Sequence, residues 1–533
     1  MTTPASSSAR PTLDGIELAL FQSRVQAICD EMGAVLRRSA FSPNIKDRLD
    51  FSCAVFAPNG ELFGQAAHIP VHLGSMAYAM GGVVARFEWQ PGDVVLLNDP
   101  YLGGTHLPDV TAIGPAFVDG RVVAFAACRA HHANIGADRP GSMPVADRLE
   151  QEGILIPPVL ALRAGALTAD CKRVLDAIAR RTHDGDEEFR SDERLGDFWA
   201  QLSSARVGVA RLEALAREAQ FAAGIVAVND YAERLARAAL AGVPRGTWQF
   251  ADALDDDGFG SGPVRIHVAV TVDDDGVVAD FSASAAQVRG NVNCPRSVLA
   301  AGAYYVFRCL MPAETPAAAG AFRPIRLVSR RGTVVDAEAP AAVAAGNVET
   351  SQRIVDVLLG ALAQALPDLV PAASQGTMNN IAMGSRAGAT PWDYYETLGG
   401  GTGASALGAG ISAVHSHMTN TLNTPIESLE LHYPLTVVRY EIRRRSGGEG
   451  RERGGDGIVR ELEFRADADV TLLTERRSIA PWGLDGGSAG APGINLLNGR
   501  IVPGKAELAV RRGDRLRIET PGGGGYGALS GAR

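Results

Sequence analysis

Residues 97–132 read LNDPYLGGTHLPDVTAIGPAFVDGRVVAFAACRAHH. Just upstream, the turn Pro91-Gly92-Asp93 introduces the apolar run VVLLN (94–98), and the turn Val118-Asp119-Gly120 introduces VVAFAACRAHH. Both runs read as strands bounded by turn residues. Two groups of metal-capable side chains therefore lie just past strand ends. The first holds Asp99, His106 and Asp109, and the second His131 and His132.

The i, i+3 spacing lets one turn present the imidazole of His106 and the carboxylate of Asp109 to a common point, and Gly103-Gly104 permits close approach of the backbone. A third ligand has to come from elsewhere, and His131 or His132 is the obvious source. Adjacent strand residues face opposite sides, so only one of the two histidines turns toward a shared ion. The chain has 10 histidines, and His68 and His72 in AHIPVHLG bring five of them into residues 68–132. A mixed N/O ligand set suits a divalent ion such as Mn, Zn or Fe. On residue types alone, a capped turn beside hydrogen-bonded histidines remains the competing reading.

Working outward, residues 17–40 place apolar side chains at helical spacing, and Pro58-Asn59-Gly60 joins two short β-type runs as a hairpin. Residues 73–88 are expected to be helical. Residues 198–241 are expected to form two helices broken near Gly224 or Val228-Asn229-Asp230. Antiparallel strands are expected over 247–284, with the two DDDG stretches as solvated turns rather than calcium loops, because neither has the ligand spacing of an EF-hand. Two further helices are expected near 296–309 and 350–366, followed by strand and glycine loop. Neither the terminal PGGGGYG nor any other stretch has the context of a nucleotide-binding glycine loop.

These elements give an α+β, mixed multi-domain fold: helical N-terminal segments, strand-borne site loops and a glycine-rich, β-containing C-terminal half. The expected divisions are a flexible tail at 1–16 and regions at 17–243, 244–340 and 341–533. The 533 residues carry 60 acidic and 51 basic side chains, a formal net charge of -9 without a compensating basic block, which argues against a nucleic-acid partner. No apolar run is long enough for a membrane span. Six cysteines without C-x-x-C spacing fit a reducing, cytoplasmic compartment.

A second polar constellation, AVHSHMTNTLNTPIESLELHYPL (413–435), offers His415, His417 and Asn420 with Glu427 and Glu430 on a shared helix face. YYETLGGGTG (394–403) adds Tyr395, Glu396 and backbone donors suited to an anionic or amide group.

Several blocks in order, among them RLDFSCAVFAPNGELFGQAAHIPVHLGSM, LNDPYLGGTHLPDV, RAHHANIGADRPGSMP, QEGILIPP, YYETLGGGTG and TPGGGGYG, strongly resemble the hydantoinase B/5-oxoprolinase family, which includes the alpha subunits of acetone and acetophenone carboxylases. The resemblance covers residues 17 to 527. It implies a two-component system in which a hydantoinase A-like ATPase partner uses ATP to phosphorylate a small cyclic amide and the B-like subunit completes ring opening. It also implies a heteromeric complex with homo-oligomerisation. The carboxylase branch implies a divalent metal, carried here onto His106, Asp109 and His131. His132, His72 and Lys46 then become candidates for catalytic roles, His132 as proton shuttle and Lys46 against a phosphorylated intermediate. Asp99, His68, Tyr395, Glu396, His415, His417 and Asn420 become candidates for lining the substrate pocket. Two other readings accompany the amide hydrolase: an alpha-type ketone carboxylase subunit, and a noncatalytic scaffold for the ATPase.

Overall fold

The computed structural model describes residues 13–66, 68–181, 195–386 and 391–529. Most of the expected tail lies outside them, and the first helix, α1 (Gly15–Ser39), begins slightly before residue 17. Asp14 caps it by accepting from the amides of Ile16 and Glu17, while Glu17 reaches back to the amide of Asp14, and Arg37 and Arg38 sit at the negative end of the helix dipole.

Seven strands form the first sheet: β1 (Phe51–Phe56), β2 (Leu62–Gln65), β3 (Val94–Leu97), β4 (Asp109–Val118), β5 (Arg121–His131), β6 (Val159–Arg163) and β7 (Ala166–Leu167). Their order is β2-β1-β5-β4-β3-β6-β7, antiparallel throughout. The short helix α2 (Pro43–Lys46) leads into β1, and Asn59-Gly60 closes the expected hairpin with Gly60 at φ +84°. Central strands such as FSCAVF are buried along their whole length because both sheet faces are covered. On one face lie α1 and α5 (Gly196–Ala216), and on the other α3 (Pro70–Val84). α4 (Ala169–Arg181) packs beside β6.

The break between α5 and α6 (Phe221–Leu240) falls at 217–220, earlier than the sequence suggested. Gly224 lies inside α6, where an added Cβ would meet the Phe21 ring at 2.7 Å, so this glycine serves close helix packing and not a break.

The second sheet, order β11-β10-β9-β8, comprises β8 (Gly246–Leu254), β9 (Val264–Val272), β10 (Val277–Asp280) and the parallel addition β11 (Ile325–Val328). One DDDG turn departs from expectation. Asp255 and Asp257 are buried, Asp255 accepting from the amides of Arg477 and Ile479, whereas the 273–275 turn is exposed. α7 (Arg296–Cys309) and α8 (Ser351–Leu362) follow, α8 entered through a π-helical turn, Gly346–Thr350. Apolar packing runs continuously from the first sheet through the second and α8, so the expected 243/244 boundary separates sheets but not cores.

The C-terminal half holds a four-stranded sheet of β12 (Asn380–Ser385), β13 (Trp392–Glu396), β16 (Ala468–Leu473) and β19 (Lys505–Val510). Beside it stands a five-stranded one, order β14-β15-β20-β17-β18, of β14 (Leu435–Arg443), β15 (Gly457–Phe464), β17 (Ile494–Leu497), β18 (Arg500–Val502) and β20 (Arg515–Glu519), with α9 (Ile426–His432) leading into β14. Between elements, the glycine segments do not wander as loops. Residues 372–375, 399–411, 446–457, 482–491 and 521–527 run against one another and exchange backbone hydrogen bonds, among them Gly455 N–H to Thr402 O and Gly523 N–H to Gly455 O (2.9 Å each), and Gly524 N–H to Ala373 O (2.8 Å). A Cβ on Gly401 would lie 1.9 Å from Gly455 O, and one on Gly523 2.0 Å from Thr402 O. Only glycine fits this backbone-to-backbone spacing, the same steric logic that places glycine at the axis of collagen.

Candidate metal centre

Strand pairing assembles the centre. Asp109, the first residue of β4, stands directly opposite His131, the last of β5. The preceding turn carries His106, three residues before Asp109, and the first turn of α3 inserts His72. Asn98 fixes the path of this loop by donating to Leu107 O (2.7 Å) and Ile154 O (3.0 Å), and by accepting from the amide of Ile156 (2.6 Å).

The four side chains converge on one carboxylate, and all are buried. His106 Nε2 lies 3.1 Å and His131 Nδ1 3.3 Å from Asp109 Oδ1, and His72 Nε2 lies 3.2 Å from Oδ2. The two carboxylate oxygens differ in their surroundings. Oδ2 also accepts from Thr105 Oγ1 (2.6 Å) and Asn347 Nδ2 (3.3 Å), the latter delivered by the π turn. Oδ1 has close neighbours but no aligned donor, and it is one of three buried atoms left without a hydrogen bond here, with His106 Nε2 and His131 Nε2. Such orphans are rare unless another species satisfies them.

Electrostatics and the outer contacts agree with that asymmetry. Burial works against ionisation of Asp109, yet His106 and His72 hold its carboxyl well below the usual range. Burial pushes His106 down, but Asp109 outweighs it and the net shift is upward, whereas burial dominates at His131 and lowers it. His106 Nδ1 faces Ala344 O at 3.2 Å; donating there leaves Nε2 with its lone pair toward the cluster. Glu152 holds that carbonyl in place by accepting from the amides of Val343 and Ala344 (2.9 and 2.8 Å), and burial raises its own carboxyl to about 7. Tyr395 stacks on the His131 ring at 4.6 Å and 10°, and donates from its hydroxyl to Asn380 Oδ1 (2.7 Å).

One ligand atom from each of His106, Asp109 and His131 can be chosen so that all lie within 4.8 Å of one another. That spacing suits donors sharing an ion at about 2.0–2.2 Å. The residues present therefore fit a divalent metal.

Other sequence candidates fall elsewhere. His132 turns to the opposite side of the strand, its Nε2 2.7 Å from Gln201 Oε1 and its ring on Phe198, so the geometry gives it a packing role in place of the expected shuttle. Lys46 is exposed; the buried cation beside Tyr395 is Arg48, which donates to Tyr395 O (2.7 Å) and Thr397 Oγ1 (3.0 Å) and sits over the Tyr395 ring. Asp99 accepts from the amide of Tyr101 and caps its own turn. His68 Nδ1 accepts from the amide of Cys53, and burial lowers its pKa to about 4. Asn420 is exposed and reaches His68 O. Glu396 accepts from Asn423 and faces Arg460 at 3.4 Å, a buried ion pair. His415 has both ring nitrogens unpaired, and burial, reinforced by Arg48, lowers it to about 3. His417, at φ +56°, lies 3.8 Å from Asp356. Asn347, Thr105, Glu152 and Arg48 were not singled out from sequence. Asn347 acts across 238 positions, a separation no local pattern reports.

Glu349, also on the π turn, accepts from the amide of Met378 (3.0 Å) and from Asn380 Nδ2 (2.6 Å). Burial, then Glu475, raises its carboxyl from 4.5 to about 8. A raised folded-state pKa means that folding takes up a proton between about pH 4.5 and 8, so this group's stabilisation is present below that window and is lost as pH rises through it. Glu349→Gln retains an oxygen acceptor. Urea midpoints at pH 5, 7 and 9 are expected to show a smaller loss with rising pH than the parent chain, and greater stability than the parent at pH 9.

The hydantoinase B/oxoprolinase family matches residues 14–529, and the chain belongs to that enzyme family. It is 36% identical to 5-oxoprolinase 1 of Arabidopsis thaliana over 98% of this chain but only 43% of that protein. The fold matches the crystal structure of ATP-dependent caprolactamase from Pseudomonas jessenii with a TM-score of 0.86 and 28% identity, covering 97% of this chain and 92% of that one. A nucleotide-free acetone carboxylase structure shares the fold at a TM-score of 0.83 and 18% identity, covering 96% and 76%.

Proposed function

We propose that this chain is the B-like subunit of an ATP-dependent cyclic amide hydrolase, opening 5-oxoproline or hydantoin-type rings after an A-like ATPase partner has phosphorylated the substrate. The observation that carries the reading is the buried His106–Asp109–His131 group with its three unsatisfied atoms. Similarity to a caprolactamase supports a cyclic amide, since caprolactam is one. A partner is supported by the family designation and by the span of the match, which covers less than half of the single-chain 5-oxoprolinase.

His106, Asp109 and His131 would hold a divalent ion such as Mn, Zn or Fe. When bound, such an ion supplies Lewis-acid polarisation of a carbonyl and acidifies water. The chain's own residues do the rest. Thr105, Asn347 and His72 occupy Asp109 Oδ2 and so direct Oδ1 inward; Tyr395 fixes the plane of His131, and Arg48 fixes Tyr395. Activation by phosphorylation has a chemical reason, because an unstrained amide is a poor electrophile and an imidate phosphate a better one. Six unpaired cysteines, five of them buried, and the absence of a membrane-length apolar helix among the described residues are compatible with work in the cytoplasm.

The test is co-expression with an A-like ATPase and an ATP-dependent assay on 5-oxoproline and hydantoins, beside alkyl and aryl ketones with bicarbonate. Ring opening that needs ATP and both chains is expected. Ketone carboxylation without ring opening would overturn the assignment in favour of the carboxylase branch.

A further inference from the structure

We propose that the free edge of β14 is a self-association surface, on which a second copy of this chain lays its own β14 antiparallel about a two-fold axis at Tyr440. β14 is the terminal strand of its sheet. Among the described residues, eighteen large apolar side chains are exposed, and eight of them fall between Leu407 and Ile442. That concentration at one sheet edge separates it from scattered surface apolar residues, which need no explanation.

The strand's two faces have different chemistry. Tyr440 and Ile442 stand opposite Arg460 and Ile458 of β15, both buried, so they continue the inner layer to the rim and stop there 43% and 46% exposed. Leu431 of α9, 79% exposed, and Leu422, 54% exposed, extend the same uncovered apolar region. The outer face carries Arg439 and Glu441, both exposed and 3.6 Å apart.

A two-fold centred on Tyr440 is charge-complementary. It sets Arg439 against Glu441 of the second copy, twice by symmetry, and Val438 against Ile442 of the second copy. Opposite charges facing across strands stabilise an antiparallel pair and like charges destabilise it. Moving the axis to Glu441 would oppose Arg439 to Arg443, so the charge pattern selects one register. The bulge between Val437 and Arg439 lies at the end of the pairing and leaves 439–443 regular. Such an interface is isologous, each patch meeting its own copy. It rests on the edge strand alone and is independent of the proposed reaction.

Light scattering after size exclusion of the full chain, over a concentration series, reads the outcome. The parent is expected at twice the 55.8-kDa chain mass. Arg439→Glu and Glu441→Arg each place like charges opposite each other in a homodimer, and each is expected to weaken association by about tenfold or more. An equimolar mixture of the two variants restores both ion pairs in the heterodimer and is expected to return to dimer mass. Melting curves of the single variants check that each is folded. A parent chain monomeric at every concentration, single variants as dimeric as the parent, or a mixture as weak as its components would overturn the proposal, including where the edge serves the ATPase partner instead.

Discussion

Asp109→Asn is expected to abolish metal retention: after dialysis the parent chain holds a divalent ion and the variant does not, as read by elemental analysis. The effect is large because one side chain does two things. Its Oδ1 is the sole anionic donor in the group, and its Oδ2 anchors Thr105, Asn347 and His72. Losing only an outer partner of a metal ligand costs about 10–100-fold in affinity. Asp109→Asn removes the ligand charge itself, so the drop in affinity should exceed about 100-fold, the upper end of that range. Thr105→Ala removes one anchor and should fall within the range. Competition titrations with a chelator separate the two variants, and ATP-dependent turnover with the partner should fall in step with metal content. A fully loaded Asp109→Asn protein would sink the ligand assignment.

Gly523→Ala is expected to unfold the C-terminal half or leave no soluble protein. The added methyl would stand 2.0 Å from Thr402 O and 2.2 Å from its carbon, both backbone atoms of a segment itself pinned by neighbours on other sides. Overpacking in a core that can relax costs about 1–3 kcal/mol. Backbone that cannot move aside puts this substitution in the exceptional class above about 4 kcal/mol. Gly82→Ala in α3 is the control, since its methyl would meet nothing within 4 Å and alanine favours a helix by about 1 kcal/mol. Denaturant midpoints should move in opposite directions for the two variants, and equal midpoints would show that the glycine packing is looser than its geometry implies.

The sequence was most legible where chemistry and local geometry coincide. His106 and Asp109 are three residues apart in one turn, and strand alternation already required His131 and His132 to part company. The structure sends the first to Asp109 and the second to Gln201. The helix break near 217–220 was misplaced because Gly224 has two possible uses, and only the presence of Phe21, some 200 positions away, decides between them. Lys46 drew attention as a scarce residue beside a family block, but its place at the end of a four-residue helix leaves it in solvent. Its near neighbour Arg48 is the one that turns inward. The glycine segments read as loops because backbone packed on backbone leaves no apolar periodicity to detect.

That last feature also orders events during synthesis. The bundle draws on segments from 372 to 527, and Gly523 and Gly524 bond to Gly455 and Ala373, partners far earlier in the chain. Contacts of such long sequence separation form late, after their loop-closure entropy has been met. Nothing before residue 521 can substitute for them. Segments 399–411 and 446–457 therefore wait on the ribosome with open amides and carbonyls, and the C-terminal half closes as one cooperative step once translation has passed residue 527.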